Sequence, residues 1–350
     1  MRTRKVLVML AALFCVGVLV AGCGSDSDST TGGTAAAGGG DSGAPVNIGM
    51  FMVATANTHQ QAALKGAEKV VAEDGNASLQ AFNGNFDPTA QTNQIEDATA
   101  SGEYDALLVN SIDGTQTVPA ITKALQEGIA VICGFSICGP EQEEFSKQLP
   151  VTAQIASDYF TVGKAAGTAL GNGCEEQKLD PCKIVYMDGT PTLALDIVFK
   201  NGAEAAFEEF PEIDVVAEAE GEFLAGPAYK AMKTIIQANP DVNGVISVGD
   251  QMIAGAKQAI DESPLKDKDV ILVGDGASVA GTKAVENGEW FASSILRPQH
   301  EGELEAEYAI AAVRGEEMSP DLVNSALADE FPEGYIDQGN AAKWTPEWAG

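Results

Sequence analysis

Two apolar rhythms alternate along this chain. Val46, Ile48, Met50, Phe51, Met52 and Val53 form a nearly unbroken apolar run of strand length. A polar turn over residues 55–60 follows, and then Ala63, Leu64, Ala67, Val70 and Val71 recur at helical spacing. An antiparallel strand with one wet face alternates, whereas a parallel strand covered on both faces reads as a continuous run, so this unit predicts a parallel sheet. The unit repeats. Residues 79–82, 106–109, 129–133 and 151–155 read as further strands, with helices from Asp87-Pro88 to about Ser101, around Val118, Ile121 and Leu125, and from Asp158 to about Leu170. The second half restarts with strands at 183–187, 215–217, 244–248, 270–273 and 290–295, separated by helices and closed by a long helix carrying Leu304, Tyr308, Ala311 and Ala312. The polar strand ends Asn57, Asn110 and Gly134 are spaced by 53 and 24 residues, and Asp188, Gly249 and Asp275 by 61 and 26. That shared pace predicts an α/β protein with two doubly wound, Rossmann-like lobes, each presenting small polar residues at the carboxyl ends of its strands, where small ligands sit in such sheets.

The 350 residues suffice for two full cores, and 45% hydrophobic with 20% charged content is that of a globular protein. Arg2, Arg4 and Lys5 precede an apolar run over 6–20 and then Ala21, Gly22 and Cys23. This is the order of a secretory signal, with Cys23 placed as in a lipobox, so residues 1–22 are expected to be a lipoprotein signal peptide and Cys23 the lipid-bearing residue. A plain signal with an incidental cysteine is the alternative. Residues 23–45, rich in Gly, Ser, Thr, Ala and Asp, read as a flexible tether. The expected location is the outer face of a bacterial cell membrane, or the periplasm, with the membrane touched through the lipid alone.

Net charge is −31, and without the signal 17 bases face 51 acids. Nucleic acid is excluded as a partner, because binding its backbone needs a basic face. A neutral or cationic small molecule suits the charge better. Beyond Cys15 and Cys23 four cysteines remain, and in an exported protein two local disulfides, Cys133–Cys138 and Cys174–Cys182, are the economical pairing. Zinc is the alternative, although neither spacing is the usual two-residue knuckle, and no metal or other cofactor is expected. No phosphate loop, dinucleotide fingerprint or nucleophile elbow occurs, and two histidines leave little for a triad, so no enzyme activity is expected. The Ser-Pro-Leu-Lys stretch at 263–266 lies in a polar loop and reads as chance.

Four stretches resemble the ribose-binding-protein family of periplasmic sugar-binding proteins that supply ABC importers: QIEDATASGEYDALLVNSIDG (94–114), VTAQIASDYFTVGKAAGTAL (151–170), QANPDVNGVISVGDQMIAGAKQAI (237–260) and VILVGDG (270–276). The resemblance implies the type I periplasmic binding protein fold, with three crossings near 156–157, 296–297 and 322–327 acting as a hinge. Residues 46–156 plus 297–325 would form the N-terminal lobe and 157–296 plus 326–350 the C-terminal lobe. It implies a monomeric receptor that binds a sugar or polyol between its lobes and delivers it to a permease. Asn57 and Asn110 fall where the family places Asn, Phe223 where it places an aromatic ring, and Asp275 where it places Asp. Several positions depart: His59 and Gln60 stand for two stacking aromatics, Gly134-Phe135 for an Asp-Arg pair, Gly249-Asp250 for Asn-Asp, and Leu296-Arg297 replaces a Gln near the hinge.

The candidate ligand residues are therefore Asn57, His59, Gln60, Asn110, Phe135, Phe223, Asp250, Asp275 and Arg297. Each has a plainer role available. Asn57 and Asn110 could satisfy loop backbone, His59 could be a solvated residue at a helix start, Asp250 could cap its helix, and Arg297 could bridge the lobes. The lost ribose positions leave open a non-sugar solute such as a nucleoside, an amino-acid derivative or a signalling molecule. A secreted hydrolase on the same fold is the reading from another class.

Overall fold

The computed structural model describes residues 43–191 and 193–350. The expected signal peptide, Cys23 and almost all of the tether lie outside them. The first half runs β1 (Val46–Met52), α1 (Thr58–Asp74), β2 (Ala77–Asn83), α2 (Pro88–Ser101), β3 (Ala106–Asn110), α3 (Gly114–Gln126), β4 (Ala130–Phe135) and β5 (Ala153–Ala156). Asn57, Asp87 and Asp113 each end a strand-to-helix turn by accepting backbone N–H groups in the first turn of α1, α2 and α3. Polar residues at the strand ends thus do structural work before any other.

The second half runs α4 (Tyr159–Gln177), β6 (Cys182–Asp188), α5 (Ala194–Phe207), β7 (Ile213–Glu220), α6 (Ala225–Ala238), β8 (Gly244–Ser247), α7 (Asp250–Asp261), β9 (Ile271–Gly276), α8 (Val279–Glu286) and β10 (Ala292–Ile295). α9 (Pro298–Val313), β11 (Leu322–Asn324), β12 (Tyr335–Asp337) and a short 3-10 turn (Ala341–Lys343) complete it. The strand orders are β11-β5-β4-β3-β1-β2 and β12-β10-β9-β8-β6-β7, the same topology used twice. One asymmetry stands at the rim: β11 pairs parallel to β5, but β12 pairs antiparallel to β10.

Each lobe carries a tightly approached helix pair made possible by glycines. A Cβ on Gly66 of α1 would lie 2.0 Å from the Gln299 carbonyl oxygen of α9, and one on Gly302 of α9 would lie 1.9 Å from that of Ala63. The α4–α5 pair repeats this, with Gly163 against Phe199 and Gly202 against Phe160. α9 packs on β3, β4 and β5, although it follows β10, and α4 packs on β9 and β10, although it follows β5. The chain therefore passes between lobes at 157–158, at 296–297 and after β11. The passages are tied to one another: Asp158 N–H donates to Asn324 Oδ1 (3.1 Å), the Ser157 and Ser325 hydroxyls lie 3.3 Å apart, and Arg297 donates to the Leu327 carbonyl (2.8 Å).

Five elements differ from the sequence prediction. α4 continues to Gln177 rather than stopping near 170, because Gly171 and Gly173, which read as a stop, are sites of close approach for Phe210 and Ile271. β7 extends to Glu220, its outward acids concealing a strand behind three apolar residues. The short α8 and the three-residue strands β11 and β12 lacked enough periodicity to be foreseen. Both cysteine pairs, Cys133 with Cys138 and Cys174 with Cys182, sit at disulfide distance.

Candidate functional site

The carboxyl ends of the two sheets face each other. Phe135, Ser136, Ile137 and Phe145 of the first lobe and Tyr159, Leu195 and Val198 of the second enclose a cavity of about 40 Å³. At about 10–15 Å³ per water it holds a few waters. A wider mouth of about 560 Å³ opens beside it between residues 140–144 and Leu193, Ala194 and Ile197.

On the first lobe three candidates come to this edge with polar atoms that no described group satisfies. Asn110 is fully buried; its amide donates to both oxygens of Glu305 (2.9 and 3.0 Å), and its Oδ1 has no partner. Gln60, 1% exposed, accepts from Val53 N–H (3.0 Å) and leaves Nε2 unused. His59, 8% exposed, leaves Nδ1 unused and sets its ring edge-on to Phe135 (5.5 Å) and Trp348 (5.7 Å). The solvated alternative for His59 is thus overturned: burial alone lowers its pKa to about 4, so the ring is neutral. Phe135 adopts a φ of +64° at the end of β4, which aims its ring toward His59 while its N–H donates to Glu301 (3.1 Å). Asn57 is half-buried and spends its Oδ1 on the α1 cap.

The second lobe is different. Asp250, 1% exposed, accepts from Ser278 N–H (2.9 Å), Ser278 Oγ (2.6 Å) and Ser293 Oγ (2.8 Å), so both carboxylate oxygens are engaged within its own lobe. It does not cap α7, whose cap residue is Gly249. Asp275 accepts from Ser294 Oγ (2.6 Å). Burial pushes its carboxyl up to about 8, with the Asp250 and Asp196 charges adding and the Ser294 bond opposing. Phe223 lies with its ring over Gly189, where a Cβ would come within 2.1 Å of it, and near Gly249. The ring therefore covers the ends of β6 and β8. Arg297 is spent on the Leu327 carbonyl and sits 3.6 Å from Glu347, so the bridging role is the one observed.

Sequence reasoning missed Glu301, Glu305, Tyr159 and Trp348. Glu301 and Glu305 lie buried one turn apart on α9, where burial raises both carboxyls and the Glu301 charge raises Glu305 further. Their signal was present: carboxylates at helical spacing on the same stripe as Tyr308. Tyr159 follows the first crossing, and its burial, with the nearby carboxyls of Asp275, Glu301 and Asp196, holds its hydroxyl well above the usual tyrosine range. Trp348 carried no local pattern at all.

A family described as periplasmic binding protein domain matches residues 48–317. This chain belongs to it. Among relatives, the galactofuranose-binding protein YtfQ of Escherichia coli (strain K12) is 27% identical over 263 residues, 74% of this chain and 80% of the relative. The ribose import binding protein RbsB of Escherichia coli (strain K12) is 24% identical over 268 residues, 77% of this chain and 85% of the relative. A solved ABC transporter periplasmic solute binding protein from Actinobacillus succinogenes 130z, with bound D-allose, superposes with a TM-score of 0.75 at 21% identity, covering 86% of this chain and 100% of that one. This periplasmic binding protein accordingly has the ribose-binding-like type I fold of two α/β lobes. The relatives named here are binding proteins. No helix among the described residues is long and apolar enough to cross a membrane.

Proposed function

We propose that this periplasmic binding protein is the solute receptor of an ABC importer and binds a monosaccharide or polyol between its lobes. The observation that carries the reading is the set of unpartnered buried atoms at the first-lobe edge: Asn110 Oδ1 accepts, Gln60 Nε2 donates, and neutral His59 Nδ1 does either. Burying such groups without partners costs about 1–3 kcal/mol each, which a polyol with hydroxyls around its rim repays. His59 and Phe135 supply the apolar ring edges beside them, and Phe223 and Asp275 close from the second lobe. Asn57 contributes its remaining amide. Asp250 is left out of the contact set because its oxygens are engaged.

The three crossings are the hinge, and opening admits a solute that a cavity of about 40 Å³ does not. The domain boundaries follow the crossings, with the first lobe reaching through β11. Receptor and membrane meet through lipid on Cys23 alone, the two cysteine pairs are disulfides formed after export, and the receptor works as a monomer. A carboxylate-bearing solute such as an amino acid is disfavoured, because Arg297, the one cation sequence reasoning assigned to the site, is already occupied. Hydrolysis is disfavoured too: Asp196, Asp250, Asp275, Glu301 and Glu305 are each engaged by hydrogen bonds from groups of the protein.

The test is a thermal-shift screen of the purified protein against pentoses, hexoses in both ring sizes, polyols, nucleosides and amino acids. A ligand bound only by the folded state raises the melting temperature by mass action. A rise confined to sugars or polyols is expected. A rise with nucleosides or amino acids and none with sugars would overturn the solute class while leaving the receptor standing.

A further inference from the structure

Residues 344–350 do not simply trail off the second sheet. They run along the loop that follows β9, where Trp344 Nε1 donates to the Ala277 carbonyl (2.8 Å) and Trp348 Nε1 to that of Gly276 (2.9 Å). The loop grips back: Val279 N–H donates to the Trp348 carbonyl (2.9 Å). Gly276, at φ +123°, is needed here, since a Cβ would stand 2.4 Å from the Trp348 ring. All of this anchors the segment to the second lobe, next to Asp275.

The same seven residues also hold the first lobe, through Trp348 and through Glu347, whose Oε1 lies 3.6 Å from Arg297. The Trp348 ring meets His59 of α1 edge-on at 5.7 Å and 76°. The neighbouring Glu347 turns to the start of α9, where its Oε2 accepts from His300 N–H (3.0 Å), one of the donors that a helix start leaves without a partner. Its charge also complements the positive end of the helix dipole. α9 packs against α1 and the first sheet, so Glu347 and Trp348 grip one rigid unit from two directions.

We propose that residues 344–350 form a clasp across the two lobes, in which Trp348 is a positioning residue that seals the cleft beside His59 and Glu347 latches the start of α9. The clasp spans the side of the cleft next to the second crossing, so the lobes part there only by releasing it. It gives the receptor reading its closing device, but its test needs no solute and stands or falls apart from that reading.

The chain's two histidines each sit at one first-lobe contact of the clasp, His59 against Trp348 and His300 against Glu347. Selective isotope labelling of histidine in the whole chain therefore reports each grip by NMR. In the unchanged protein the His59 ring should titrate near the pKa of about 4 that burial imposes, well below 6.5. Trp348→Ala should raise it by at least about one pH unit as water reaches the ring. Glu347→Ala should speed exchange of the His300 amide by at least about tenfold, as expected when a protecting hydrogen bond is lost. Thr345→Ala, at an exposed position of the same segment, should leave both signals in place. If Trp348→Ala does not fold, Trp348→Phe should give a smaller shift in the same direction. A His59 ring that titrates near 6.5 in the unchanged protein, or is unmoved by either Trp348 variant, overturns the clasp.

Discussion

At the end of β3, Asn110 buries an oxygen that nothing described satisfies, while at the start of α7, on the matching edge of the other sheet, Asp250 collects three hydrogen bonds from two serines. The two edges have the same strand order and the same glycine-mediated helix pair behind them. Their polar groups are nevertheless used in opposite ways. Around Asp250 the second edge is satisfied within the protein and behaves as a frame, although Ser247 Oγ at the end of β8 and the Tyr186 hydroxyl of β6 are buried without partners among the described residues. The first edge is incomplete, and incompleteness that costs free energy in a folded protein is where a ligand has something to offer. The duplicated topology thus supplies two walls of like strand order, with the unpartnered amide and imidazole groups on the first.

The largest effect should come from removing the frame. Asp250→Ala leaves the Ser278 N–H, the Ser278 hydroxyl and the Ser293 hydroxyl buried without their acceptor, at a cost of about 3 kcal/mol in stability by the scale for such groups. Urea unfolding measures it. Affinity of the protein that remains folded should stay within about twofold. A loss of affinity with stability unchanged would reverse the assignment and make Asp250 a ligand contact.

That division of labour shows what the sequence could convey. The repeated apolar runs and Asx caps made the two lobes legible, because strand burial on both faces and capping are local signals. Asn110 and Gln60 could be singled out as candidates because they follow such strands. Asp250 was misplaced because its partners, Ser278 and Ser293, are 28 and 43 residues away, and no local rule tells a saturated carboxylate from a free one. Arg297 failed as a ligand candidate for the same reason, its acceptors lying at Leu327 and Glu347. Trp348 was invisible because its partners, His59, Gly276 and Val279, all lie far from it in sequence.

Next in size is the selecting wall itself. Asn110→Ala should weaken binding of the sugar that gives the largest thermal shift by about tenfold, equivalent to roughly 1.4 kcal/mol and typical of one buried hydrogen-bonding group. Calorimetry is the measurement. The same change frees Glu305 from its amide, so Asn110→Asp adds a useful contrast: it keeps an acceptor but sets a carboxylate against Glu305, and should bind more weakly than Asn110→Ala at pH 8. Equal affinity in all three proteins would remove Asn110 from the site.

The smallest effect, a few degrees in melting temperature, concerns the charge stored in the frame. Asp275 is pushed up to about 8 and Asp196 and Asp250 to about 6, mainly by burial, and Glu301 and Glu305 are raised as well. A carboxyl whose folded pKa exceeds its unfolded value near 3.8 holds its proton longer in the folded state. Its stabilising contribution is complete at low pH and is lost as pH rises through the folded value. Stability should therefore climb as pH is lowered from about 8.5 to about 6. His59 runs the other way: with its folded pKa lowered to about 4, it withdraws stability as pH falls below 6.5 and so offsets part of that gain. Self-repulsion in a chain of net charge −31 would mimic the upper limb, but that repulsion is between exposed charges and is screened at about 0.5 M salt, whereas the buried carboxyls are not. Measured in that salt, the unchanged protein should still melt higher at pH 6 than at pH 8.5, and Asp275→Asn should flatten the difference. A slope abolished by salt would place the effect on the surface and leave the two edges alike in their response to protons.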